Sequence, residues 1–110
     1  MKATKSSGNV FSDIGLDEIE AAELTAKTDL VAMLMRAIRR RALSQVQAAR
    51  VCGVDQPTLS KVLNGKLESI TIDRLARWIV ALGGRVRITV RPPSQRSGRH
   101  KGSMRVEAAP

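Results

Sequence analysis

The apolar positions of the chain change their period along its length, and each change marks an element. From Asp17 to the Arg39-Arg40-Arg41 run, Ile19, Leu24, Leu30, Leu34 and Ile38 recur at roughly helical intervals. They predict one long helix, with Thr25 to Thr28 the place where it would be interrupted. Asp17 and Glu20 have capping-box spacing at its start. Ser44 opens a second helix and Gln47 completes a Ser-x-x-Gln capping box, with Val46, Ala49 and Cys52 as small apolar contacts and Gly53 as the stop. After Val54, Asp55 is an N-cap. Pro57 suits a first turn, where no intrahelical N–H partner is lost, so a third helix is expected from Gln56 to Leu63, ending at Asn64-Gly65. Thr71 caps a fourth, in which Ile72, Leu75, Ile79 and Leu82 align before Gly83-Gly84. In "RVRITVR", residues 85–91, the period falls to two. Val86, Ile88 and Val90 alternate with polar residues as in a half-buried strand, which Pro92-Pro93 end.

Outside this patterned stretch, residues 1–15 form a polar arm carrying Val10, Phe11 and Ile14, and residues 92–110 read as a disordered basic tail. Residues 16–91 are then one small folded domain, since 110 residues suit a module and not a deep catalytic cleft. The net charge of +9 is uneven. Residues 1–28 hold three basic and five acidic side chains; residues 29–91 hold twelve basic and four acidic. A basic middle points to a polyanion, because phosphates reward clustered cations through counterion release, although a merely solvated basic surface is the alternative. The single Cys52 excludes an internal disulfide or a multi-cysteine zinc site and fits a small core residue in a reducing cytosol. The longest strongly apolar run, Leu30 to Met35, is far too short to cross a bilayer, and no export signal is expected, so the localisation read here is cytoplasmic.

The second and third helices, joined by Gly53-Val54, make a helix-turn-helix unit. Ala48 is small where the helices approach, and Val54, Leu59 and Val62 point inward. Gln56, Pro57, Ser60 and Lys61 are left on the outer face of the third helix, where amides, hydroxyls and an ammonium can meet base edges or phosphates in a major groove.

On these residues the stretch "LSQVQAARVCGVDQPTLSKVLNGK" resembles the helix-turn-helix of the XRE/Cro-like regulators. With "NVFSDIGL" before it and "ITIDRLARWIVALGGRVRITVRPP" after it, residues 9 to 93 resemble HigA-type antitoxins of toxin–antitoxin operons. The resemblance implies a mainly α fold, a lambda-repressor-like bundle of four to five helices with a C-terminal β-strand. It implies a transcriptional repressor of its own operon, without cofactor or metal. Gln45 would hold a phosphate, Gln56 and Lys61 would approach bases, and Asn64 and Lys66 would lie near the backbone; Pro57, Thr58 and Ser60 complete the expected DNA-binding set. Pro57 departs from the pattern, because it cannot donate to a base, though it can press on a thymine methyl.

An enzyme is disfavoured. His100 is the one histidine and lies in the tail, and no nucleophile–base or metal-ligand spacing is present. RNA binding is the nearer competitor, but Phe11 and Trp78 are the only aromatics available for stacking, and Trp78 belongs beside the apolar face of the fourth helix. A pure protein-interaction module is a third class. Three partners are expected. They are a palindromic duplex operator, a second copy paired antiparallel through Val86, Ile88 and Val90 (unless this strand only covers its own core), and a RelE/HigB-like ribonuclease toxin. The toxin would be held by Val10, Phe11 and Ile14 beside the acids of residues 1–28, unless the arm folds back on its own helices. A stand-alone XRE/Cro-like regulator without a toxin is the other functional reading.

Overall fold

The structure, a computed structural model, describes residues 16–93 and 102–107. The arm with Val10, Phe11 and Ile14 and the residue His100 lie outside these. Four helices are present among the described residues: α1 (Leu16–Arg40), α2 (Gln45–Cys52), α3 (Gln56–Leu63) and α4 (Ile72–Ala81).

Helix α1 is continuous over 25 residues. Thr25 and Thr28 do not interrupt it; their hydroxyls donate to the carbonyls of Ala21 (3.0 Å) and Leu24 (2.8 Å) within the helix. Asp17 is not the cap but a first-turn acid with Glu18, and Arg39 and Arg40 occupy the last turn, a distribution that matches the helix dipole. The chain then reverses through Ala42, whose φ of 55° is left-handed. Ser44 and Gln47 form the expected reciprocal box, with the Gln47 amide donating to Ser44 Oγ (3.1 Å) and the Ser44 amide to Gln47 Oε1 (2.9 Å). Gly53 at φ 73° closes α2, and Asp55 accepts from the Thr58 amide at 2.8 Å to open α3. Thr71 does the same for α4, accepting from the Arg74 amide at 3.1 Å.

Leu34, Leu59 and Leu75 are fully enclosed, one each from α1, α3 and α4, and Ala48 of α2 joins them. Trp78 is buried in this core. Cys52 is half-buried against it, with its thiol 3.9 Å from the Trp78 carbonyl and its pKa raised by that burial.

Three apolar residues expected to face the core do not. Ile19 and Leu24 are exposed, because α1 is about 37 Å long at 1.5 Å per residue and the three helices beneath it have only eight to ten residues each. Its first turns project beyond them. Val46 is exposed on the outer side of α2.

The C-terminal strand is not formed among the described residues; 85–93 carry no regular structure. Ile88 and Val90 are 84% and 87% exposed, which removes the reading in which this segment covers its own core. A strand requires a ladder partner, and one copy of the chain supplies none here. Residues 102–107, within the segment read as a tail, lie against α1: Val106 packs on the core, and its amide donates to Asp29 Oδ2 at 3.3 Å. No helix among the described residues is long and apolar enough to cross a membrane.

Candidate nucleic-acid interface

Helix α3 is held from below by Leu59 and Val62, both buried, with Leu63 packed at the edge. Successive residues step by about 100° around a helix, so fixing Leu59 and Val62 inward turns Pro57, Lys61 and Asn64 to the opposite side, with Gln56 and Ser60 on its margin. Pro57, Lys61, Asn64 and Lys66 are exposed, and Gln56, Thr58 and Ser60 are half-buried. Gln56, Pro57, Ser60, Lys61 and Asn64 therefore share one side of α3. Thr58 lies at its far margin, where its hydroxyl is engaged by Asp55.

Asp55 is oriented by this arrangement. Its carboxyl is held below the usual range first by the Thr58 hydroxyl, then by the Thr58 amide, with Lys61 and Arg74 adding positive charge. The carboxylate is thus committed to the helix start and partly neutralised. Arg74 also lies over the Trp78 ring, 5.7 Å from its centroid.

One relation was not read from the sequence. The Gln56 side-chain amide donates to Gln45 Oε1 at 2.9 Å, linking the first residues of α2 and α3. The signal was present as a glutamine at the first position of each helix, eleven residues apart, but side-chain reach between two helices depends on their crossing, which local spacing does not reveal. The bond leaves the Gln45 N–H donors and the Gln56 carbonyl free to meet another molecule. Beside Gln45 a shallow groove of about 160 Å³ is lined by Met35, Ile38, Arg39, Leu43 and Leu63, which places one arginine of the basic run next to the predicted phosphate-holding amide. The described residues contain no group of three or more His, Cys, Asp or Glu side chains able to hold a metal ion.

Two short helices crossing at a left-handed glycine, the second presenting a polar and cationic face, define a helix-turn-helix domain. Residues 10–91 match the family model described as "Helix-turn-helix domain", and the chain belongs to that family. A solved structure described as a candidate XRE family transcriptional regulator superimposes with a TM-score of 0.72 at 34% identity, covering 82% of this chain and 99% of the other. The fold is accordingly the XRE-like helical bundle, a DNA-binding regulator architecture and not an enzyme class. A protein of Mycobacterium tuberculosis described as a candidate HigA2 antitoxin is 28% identical over 79 residues, 71% of this chain and 78% of that protein.

Proposed function

We propose that the chain is a sequence-specific repressor that reads duplex DNA through α3. The observation that carries this reading is the outward face of α3 together with the Gln45–Gln56 bond. That bond presents one amide for a phosphate and a second for a base edge, at the starts of two neighbouring helices. Gln45 and Arg39 hold the backbone, Gln56 and Lys61 meet bases, Pro57 presses on a thymine methyl, and Ser60, Asn64 and Lys66 complete the contact. Two copies joined antiparallel through Val86, Ile88 and Val90 would present two such helices to a palindrome about one DNA turn, roughly 34 Å, apart.

Fluorescence anisotropy with the DNA upstream of the protein's own reading frame, against random duplex, tests the assignment. Gln56→Ala and Lys61→Ala are expected to lose about 1–3 kcal/mol of discrimination, the usual range for a base contact. Gln45→Ala should weaken both duplexes, with a smaller loss of discrimination that comes from freeing Gln56 of its partner. Equal loss of discrimination in all three would overturn these roles.

The similarity to a candidate HigA2 antitoxin supports a second part of the reading: a RelE/HigB-like ribonuclease toxin as partner, held by Val10, Phe11 and Ile14, with autorepression tuned by the complex. Co-expression with the product of the adjacent reading frame tests it. Rescue of growth and co-purification are expected, and removal of residues 1–15 should abolish both while DNA binding persists. If no toxic product is encoded there, the stand-alone regulator is the correct reading.

A further inference from the structure

Ile19, Ala22, Ala26, Asp29 and Met33 follow one another along α1 at alternating spacings of three and four, which places them on one face of the helix. At the middle of this stripe the chain's own C-terminal segment is seated. A single oxygen, Asp29 Oδ2, accepts the Val106 amide at 3.3 Å and lies 3.5 Å from Arg105 Nε, and the Val106 side chain packs against the core beside it. This combination of a main-chain hydrogen bond, an ion pair and one aliphatic anchor is how a surface takes an extended peptide.

The hold is light. Gly102, Ser103, Arg105 and Glu107 are exposed, and only Val106 and in part Met104, 37% exposed, gain appreciable burial. Towards its N-terminal end the same stripe stays uncovered by this segment, with Ile19 exposed and Glu18 and Glu23 flanking it. The carboxylates select positive charge; a nucleic acid or an anionic membrane would be repelled.

We propose that this face of α1 is a docking site for an extended basic segment of a protein partner, one that sets an arginine beside an aliphatic residue. Arg105–Val106 occupies it in the resting chain as a built-in competitor. Being part of the same chain, the seated segment has an advantage over a separate one, so an outside segment must displace it by also engaging Glu18 and Glu23. The inference is independent of the toxin reading.

The test uses the full chain and a synthetic peptide of residues 102–107, followed by nuclear magnetic resonance shifts of Asp29 and Met33. The double variant Arg105→Ala, Val106→Asp is expected to bind the peptide at least tenfold more tightly than the unsubstituted chain, on the order of that tethered competition. Adding Asp29→Asn should remove the gain, and a peptide with Arg replaced by Glu should not bind. Equal binding by the unsubstituted and double-variant chains, or binding that survives Asp29→Asn, would overturn the proposal. Should the double variant fail to fold, hydrogen exchange in the unsubstituted chain decides. The Val106 amide is expected to be protected, and to lose that protection in Asp29→Asn; an unprotected amide sinks the idea.

Discussion

Helix α3 and the segment 85–91 both expose a row of side chains, yet the rows differ in kind. The outward residues of α3 are polar or cationic apart from Pro57, and its apolar residues are satisfied inside the chain by Leu34, Leu75 and their neighbours. In segment 85–91 the exposed row includes Ile88 and Val90, while Arg85, Arg87 and Arg91 are exposed as well. The first region is complete as a fold, because its outward side chains are polar groups that water or one another can satisfy. The second is incomplete as a fold, because apolar surface gains nothing from water.

The sharpest way to separate the two is to remove an equal amount of apolar side chain from each. Leu59→Ala is expected to cost about 2–5 kcal/mol in denaturant unfolding, the usual range for a core leucine, and Ile88→Ala to leave the unfolding of the isolated chain unchanged. A comparable loss at both positions would mean that the segment packs on its own domain after all. Next in size is the double change Ile88→Asp, Val90→Asp. Sedimentation should show a monomer with unchanged helix content, and operator affinity should fall toward that of a single half-site; a persisting dimer would place the seam elsewhere.

A smaller effect distinguishes the start of α3 by pH. The folded carboxyl of Asp55 lies below its ordinary value of 3.8, so its contribution to stability is fully present above about that pH and disappears as the pH falls through the lowered value. Asp55→Asn keeps an N-cap oxygen without that titration. Its unfolding midpoint should therefore depend less on pH across this acid range than that of the parent. The smallest change is expected at Ala42, whose left-handed backbone costs an L-residue about 1–2 kcal/mol, against about 0.5–1 kcal/mol for the freedom glycine loses on folding. Ala42→Gly should raise stability by less than about 1 kcal/mol, visible as a small upward shift of the unfolding midpoint.

The helix-turn-helix was legible in the sequence because its determinants are local. Ser44 with Gln47, Gly53, and Asp55 before Pro57 each act within four residues, and α2 and α3 begin and end where those residues place them. The inward set Ala48, Leu59 and Val62 followed from the way two short helices must approach across the Gly53-Val54 turn. What local pattern could not supply was the extent of neighbouring elements. Ile19 and Leu24 keep the period of α1 but lie past the helices that would have covered them, and Val46 sits on the wrong side of α2 by the direction of its crossing. Period two in 85–91 records a face suited to burial without recording whose surface buries it. The seat of Val106 on Asp29 joins residues 77 positions apart, beyond any periodic signal.

The exit from α4 has a consequence for the reach of the molecule. The Gly84 amide donates to the Ile79 carbonyl at 2.9 Å, and a Cβ added at Gly84 would stand 2.6 Å from Ile79 Cγ2, so glycine allows the chain to turn this close to the helix it is leaving. That turn sets the direction in which segment 85–91 departs. In the proposed dimer it therefore acts as a ruler, fixing the distance between the two copies of α3. Gly84→Ala would push the segment off its line and shift the preferred number of base pairs between half-sites, leaving recognition within each half-site untouched. Binding to operators with spacers lengthened or shortened by one base pair reads that ruler directly.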